Sequence, residues 1–165
     1  MKQALLVVAC LVKYKDKFLV IKRAEDPYKG LLSLPGGKIE YYEHPVQAAL
    51  REVKEETGLD VTFDKMLGVM SEILETSEET RQFVIFITSC IAKTDKFVNS
   101  PEGELAWITK NEWLQLKDKF VPSDWQIVKE LCFEKNSTLE MREVKICRKE
   151  KNGQTSYELQ EFKSP

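Results

Sequence analysis

The sequence predicts an α+β domain in which a mixed β-sheet packs against helices. Two apolar runs at the start of the chain are typical of a β-hairpin, an amphipathic helix follows them, and further strand-like runs resume beyond that helix. With 165 residues, the chain is long enough to bury the core of one domain without disulfides or structural metals. We expect this domain at residues 1–135, and a C-terminal β-hairpin at residues 136–165 that extends it.

The composition excludes several classes of partner. Lysine and arginine (25) nearly balance aspartate and glutamate (27), which gives no reason to expect a nucleic acid or a membrane. The apolar run at residues 4–12 is too short to span a bilayer and leads into another apolar run instead of a cleavage site. The four cysteines are far apart and are expected to be reduced core residues. These features predict a cytoplasmic protein, as a monomer or a homodimer.

The N-terminal hairpin is predicted from two runs rich in β-branched and apolar residues. They cover residues 4–12 and 18–22, and the charged segment Lys13–Lys17 separates them. Glycine and proline then interrupt the chain at residues 26–30 and again at residues 34–37, which predicts a loop of defined shape.

The amphipathic helix is predicted from Pro45 to Thr57. Proline suits its first turn and Gly58 suits its end. Its apolar residues recur at i, i+3, i+4 and i+7, and they are Val46, Ala49, Leu50 and Val53.

The elements beyond this helix follow from shorter patterns. Strands are predicted at residues 61–63, 67–70, 82–92 and 105–108, with an exposed acidic loop at residues 75–80. A helical turn is expected at residues 111–116, and a second helix at residues 123–134, opened by Pro122-Ser123-Asp124. In the tail, residues 138–149 and 155–162 flank Asn152-Gly153, a two-residue hairpin signal. This hairpin is expected to join a sheet edge or a partner subunit.

Three glutamates on the predicted helix suggest chemistry. Glu52, Glu55 and Glu56 are spaced i, i+3 and i+4, so they project from one side of the helix, where their repulsion costs a few tenths of a kcal/mol per pair. A hard divalent cation such as Mg²⁺ would reverse that sign, since it takes carboxylate ligands and bridges them to phosphate oxygens. Arg51 can reach Glu55 at i+4 and orient the carboxylates. The spacing alone is also compatible with a solvated, glutamate-rich helix.

The surrounding residues favour the first interpretation. Read from Gly37, the pattern is Gly37-x5-Glu43-x7-Arg51-Glu52-Val53-x-Glu55-Glu56-x-Gly58-Leu59, which resembles the signature of the Nudix hydrolase family at every fixed position. This box spans 23 residues, and the resemblance extends to about residue 130 but not to the terminal hairpin. It implies a mixed sheet sandwiched between helices, with the box as a loop-helix-loop that holds one to three Mg²⁺ or Mn²⁺ ions.

The resemblance also assigns expected roles. It implies that Glu55 and Glu56 are the main metal ligands, that Glu52 is a ligand or the base that activates water, and that Arg51 orients it. Among these, Glu52, Arg51 and Glu55 are the expected catalytic residues. Other expected metal-site residues are Glu43 as outer ligand or ion-pair partner, Gly37 through its backbone carbonyl, and Glu104 or, alternatively, Glu102 from the loop before a Trp-containing strand.

Substrate-binding residues are harder to predict from the sequence. Lys22 and Arg23 are candidates for phosphate contacts, since they precede the loop that leads into the box. Tyr28, Phe83 and Trp107 could stack on a base, but aromatic side chains beside strands more often belong to the core.

The resulting functional hypothesis is Mg²⁺-dependent hydrolysis of a pyrophosphate bond in a nucleoside diphosphate derivative. A (d)NTP ranks first as substrate, and ADP-ribose or another nucleoside diphosphate sugar ranks second. A non-catalytic nucleotide-sensing or interaction module is the alternative from another class. An RNA 5′-end pyrophosphatase is disfavoured, because the sequence shows no basic stripe.

Overall fold

The computed structural model describes residues 3–134 and 140–163, and its centre is one curled β-sheet. The strands in these residues are β1 (Leu5–Tyr14), β2 (Lys17–Arg23), β3 (Leu32–Ser33), β4 (Gly36–Lys38), β5 (Val61–Glu75), β6 (Thr80–Ala92), β7 (Gly103–Thr109), β8 (Glu140–Lys151) and β9 (Gln154–Lys163). The helices are α1 (Pro45–Thr57), α2 (Lys110–Gln115) and α3 (Pro122–Val128), with a 3₁₀ turn at Lys117–Lys119 and a π-helical segment at Lys129–Glu134.

The sheet is mixed, as predicted. Its order is β3-β2-β1-β6-β5-β8-β9, while β4 pairs with β1 and β7 pairs with β2. β1 runs parallel to β6 and β5 runs parallel to β8, whereas the other pairs are antiparallel.

Alternate residues of β1 place helices on the two faces of this sheet. Ala9 and Leu11 belong to a core cluster that also contains residues of α2 and α3. Cys10 and Val12 point the other way, into a second cluster with Val53 of α1. Since successive strand side chains alternate between faces, the helices form the outer layers of an α/β/α sandwich.

Helix α1 begins and ends where the sequence predicts. Gly58 terminates it in the left-handed conformation, with φ of 70° and an N–H that donates to the Lys54 carbonyl. The strand that follows it, β5, was predicted as two shorter strands: residues 61–63 and 67–70 are parts of one strand that continues to Glu75. Register shifts between Phe63 and Lys65 and between Met66 and Gly68 interrupt the strand pattern there.

Two other elements also differ from expectation. The predicted helix at residues 123–134 begins at Pro122 and is α-helical only to Val128, after which it widens into the π-helical segment. The loop at residues 34–37 contributes Gly36 and Gly37 to β4, which pairs with β1.

No helix in the described ranges is long and apolar enough to cross a membrane.

The C-terminal hairpin joins the edge of the sheet, one of the two places expected for it. β8 pairs with β5 along Gly68–Glu75, and β9 pairs with β8. Asn152 and Gly153 form the tight turn, with φ of 53° and 74°. The predicted start of this hairpin at Thr138, and the boundary between residues 135 and 136, lie outside the described residues.

Candidate active site

A cavity of about 550 Å³ lies beside α1 and is large enough for a small-molecule ligand. Residues from distant parts of the chain line it. Its charged lining residues include Arg23 from β2, Glu52 and Glu56 from α1, Glu72 from β5, Glu102 before β7, and Asp124 from α3.

Arg51 organises the acidic residues on the outer side of α1. Its Nε and Nη2 donate to the two carboxylate oxygens of Glu43 at 2.9 and 2.8 Å, which is the paired geometry that guanidinium favours. Its Nη1 donates to Glu52 at 2.9 Å and to Glu55 at 3.1 Å, and Nη2 also donates to the Lys38 carbonyl. These contacts hold the pKa of Glu43 at about 2. The arginine predicted to orient the box carboxylates therefore contacts three of them.

Glu52 lies directly against the backbone at Gly37. A Cβ atom built on Gly37 would be 2.5 Å from the Glu52 carboxylate carbon, so only glycine leaves room for this carboxylate. Partial burial raises the pKa of Glu52, and the charge of Arg51 opposes that rise.

Glu56 is buried, with 7% of its surface exposed. Its Oε2 accepts a hydrogen bond from the Gly36 N–H at 2.9 Å. Burial, together with the charges of Glu52 and Glu102, raises the pKa of Glu56 to about 8, while the Gly36 N–H and Arg23 oppose the rise. The spacing placed the three helix carboxylates on one side of α1. In the fold these carboxylates have different surroundings, because β4 covers Glu56 while the Glu55 side chain is 60% exposed.

The donor set fits a divalent cation such as Mg²⁺ or Mn²⁺. Glu52, Glu56 and Glu102 line one cavity, and carboxylate oxygens are the ligands that such hard ions prefer. The charge of Glu52 raises the pKa of Glu56, and the charge of Glu102 raises the pKa of both. A cation would therefore relieve the repulsion among these three carboxylates. Within residues 3–134 and 140–163, no group of three or more acidic, histidine or cysteine side chains is arranged to hold a metal ion as it stands.

Of the remaining predicted site residues, some line the cavity and others do not. Arg23 lines the cavity, and its Nε donates to the Pro27 carbonyl at 2.8 Å. Lys22 is exposed and pairs in the sheet with Glu104, which is also exposed, and neither side chain is among those that line the cavity. Glu102 does line it. The structure thus favours Glu102 over Glu104 as the glutamate from this loop, because Glu102 precedes the β7 ladder.

Two buried acids at the cavity were not predicted. Glu72 lies within an apolar strand and accepts a hydrogen bond from the Tyr28 hydroxyl at 2.6 Å. Asp124 was assigned only to the start of a helix, but its Oδ2 accepts from the Leu34 N–H at 2.8 Å. Burial raises the pKa of both carboxyls, that of Asp124 to about 7. The sequence offered one indication of Glu72: a glutamate that points inward from a buried strand is rare unless it has a partner.

Known proteins resemble this chain in sequence and in structure. An ADP-ribose pyrophosphatase from Methanocaldococcus jannaschii is 44% identical over 61 residues, which is 37% of this chain and 36% of that protein. A Nudix hydrolase from Bacillus subtilis is 28% identical over 124 residues, covering 74% of this chain and 75% of the relative. The crystal structure of a MutT protein from Bacillus halodurans superimposes with a TM-score of 0.70 at 25% identity, covering 94% of this chain and 97% of that one.

The family model for the NUDIX domain matches residues 3–131, which contain α1, the cavity and every strand up to β7. The match agrees with the box from Gly37 to Leu59 and with the sandwich around it. The chain therefore belongs to the Nudix hydrolase family.

Proposed function

We propose that this cavity hydrolyses a pyrophosphate bond in a nucleoside diphosphate derivative, with a (d)NTP as the favoured substrate. One observation carries the proposal: Glu52 and Glu56 of the box helix open into the same cavity as Arg23 and a second, buried polar region. The carboxylates suit a cation, the guanidinium suits a phosphate, and the polar region suits the nucleoside.

The residues around α1 would act on the phosphate end. Glu52, Glu56 and Glu102, which line the cavity, would hold one to three Mg²⁺ or Mn²⁺ ions together with the exposed Glu55, and Glu52 would accept a proton from the attacking water. Arg51 keeps Glu52 and Glu55 in fixed orientations through its hydrogen bonds. Bound cations would lower the pKa of that water and neutralise charge developing on the bridging oxygen.

The other end of the cavity supports a polar heterocycle. Glu72 and Asp124 are buried there, and the Ser33 hydroxyl has no hydrogen-bond partner within the described part of the chain. Buried polar groups are costly unless they are satisfied, so a ligand with several hydrogen-bonding atoms would be favoured over an apolar one. The N–H groups and ring nitrogens of a nucleobase meet this requirement.

ADP-ribose is the second candidate substrate. The observation in its favour is the similarity of part of this chain to the M. jannaschii ADP-ribose pyrophosphatase. A sensing module without catalysis is the remaining alternative. The intact set of box glutamates and the Arg51 hydrogen bonds favour an enzyme over it.

The test is a hydrolysis panel with identified products. We expect Mg²⁺-dependent release of pyrophosphate and a nucleoside monophosphate from a (d)NTP, or of AMP and ribose 5-phosphate from ADP-ribose. Glu55→Gln and Glu56→Gln should each reduce turnover by about 100-fold or more with folding unchanged, since even residues that merely support metal ligands cost about 10- to 100-fold. Glu78→Gln, on the exposed turn before β6, is the matched control. Absence of turnover of every nucleotide with either ion would reject the enzyme.

A further inference from the structure

The C-terminal hairpin contacts the wall of the cavity although it lies beyond the residues that match the family. The hydroxyl oxygen of Tyr157 on β9 accepts a hydrogen bond from the Tyr28 N–H at 2.8 Å, and the two rings are 4.5 Å apart. The same hydroxyl donates to Asp26 Oδ1 at 3.4 Å. From β8, Arg148 Nη2 lies 3.9 Å from Asp26 Oδ2, and it also pairs with Glu150 at 2.9 Å. Two strands of the hairpin therefore hold one short segment.

That segment forms part of the cavity. Asp26, Pro27 and Tyr28 all line it, and the Tyr28 hydroxyl donates to Glu72 inside. A continuous series of contacts thus runs from Tyr157 through Tyr28 to the buried carboxylate of Glu72.

Tyr28 needs this support more than an ordinary loop residue does. Its φ is 69°, a left-handed conformation that is unfavourable for a residue with a bulky side chain. A conformation of this kind persists only where surrounding contacts determine it. The hydrogen bond to Tyr157 and the tilted contact between the two rings supply such contacts, and the bond to Glu72 supplies another.

We propose that Tyr157 is a positioning residue of the substrate site, assisted by Arg148. It keeps Asp26 and Tyr28 in place as the wall of the cavity, so the hairpin and the family domain form one functional unit. The proposal rests on the function proposed above. It assigns the hairpin a part in substrate binding in addition to its place in the sheet.

The attachment of the hairpin does not depend on this one hydroxyl. β8 pairs with β5 along Gly68–Glu75, and Val144 and Ile146 are buried in the core. Tyr157→Phe keeps the ring beside Tyr28 and removes only the acceptor of the Tyr28 N–H and the donor to Asp26. This substitution can therefore separate positioning of the cavity wall from attachment of the hairpin.

The experiment is steady-state kinetics of the full chain with Mg²⁺ and the best substrate from the panel. We expect Tyr157→Phe to raise KM about three- to tenfold, as loss of one hydrogen bond predicts, with kcat changed less than about twofold. Tyr14→Phe is the matched control; Tyr14 is at the end of β1 against Trp107 and is not among the residues that line the cavity. It should leave KM unchanged.

A double-mutant cycle tests the part played by Asp26. Arg148→Met and Asp26→Asn should each raise KM. The double variant should be no worse than the poorer single variant, because each substitution removes the same Arg148–Asp26 ion pair; Arg148→Met also removes the ion pair with Glu150. A purely structural role would instead lower the melting temperature and the active fraction, with KM unchanged. That result, or a KM for Tyr157→Phe equal to that of Tyr14→Phe, would overturn the proposal.

A binding measurement separates this inference from the proposed function. The probe is a nucleoside triphosphate with a non-hydrolysable α,β-methylene bridge, titrated in the presence of Mg²⁺. Weaker binding to Tyr157→Phe than to wild type supports the inference even if turnover is not found. If the wild type turns over nucleotides and Tyr157→Phe matches it in KM and Kd, only the inference fails. A wild type that neither binds nor hydrolyses any nucleotide overturns both.

Discussion

The carboxylate of Glu52 lies where a side chain at position 37 would begin. A Cβ atom on residue 37 would be only 2.5 Å from Glu52 Cδ, so glycine at this position leaves the space free. Glu52 also accepts a hydrogen bond from Arg51 Nη1 at 2.9 Å. The position of this carboxylate is therefore set by the absence of one side chain and the presence of another.

Gly37→Ala should displace Glu52 and reduce kcat, because the added methyl group and the carboxylate cannot occupy the same space. We expect a loss of about 10- to 100-fold, comparable to loss of a residue that supports a metal site, with a small change in melting temperature. In a Glu52→Asp background the shorter side chain leaves room, so adding Gly37→Ala should reduce kcat little further. A kcat for Gly37→Ala equal to that of wild type would show that Glu52 need not remain in this position.

Arg51→Lys should impair activity despite keeping the positive charge. Lysine cannot reproduce the paired hydrogen bonds to Glu43 together with the bonds to Glu52 and Glu55. We expect kcat/KM to fall about 10- to 100-fold, with a higher Mg²⁺ concentration needed for half-maximal rate. Glu43→Gln should weaken the same network, and the double variant should lose less than the product of the single losses. Independent, multiplicative losses would argue against a shared role.

Mg²⁺ should stabilise the folded protein in the absence of substrate. Ions that bind only the folded state raise stability by about 2.7 kcal/mol at 100 times their Kd. Glu56→Gln removes one buried carboxylate of the expected site, so it should reduce the rise in melting temperature, whereas Glu78→Gln should not. Thermal unfolding with and without a chelator measures this. Equal rises in both variants would place the ion elsewhere.

The sequence was sufficient for those parts of the fold that depend on local patterns. α1 was predicted from Pro45 to Thr57 because its apolar period, its first-turn proline and its terminal glycine all lie within the segment. β5 was predicted as two strands because its irregularities follow from pairing with β6, which a local pattern does not contain.

The same difference between local patterns and long-range contacts decides which residues of the candidate site could be predicted. The box glutamates could be predicted because their spacing is local to one helix. Glu72 and Asp124 could not, since their contacts join residues 44 and 90 positions apart in the chain. Tyr157 is farther still, 129 positions from Tyr28, and its part in the cavity follows only from the fold.

Asp124 should make stability depend on pH. Its pKa is about 7 in the folded protein, raised first by burial and then by Glu72, against an ordinary value of 3.8; Arg23 and the Leu34 N–H oppose the rise. The folded state thus binds more protons than the unfolded chain between these values, so stability should fall as pH rises from about 4 to about 7, by on the order of 4 kcal/mol. Asp124→Asn can still accept from Leu34 but does not ionise. Urea unfolding from pH 5 to pH 8 should therefore show a flatter profile for Asp124→Asn than for wild type or for Asp118→Asn, an exposed control. Parallel profiles for all three proteins would mean that Asp124 does not titrate in this range.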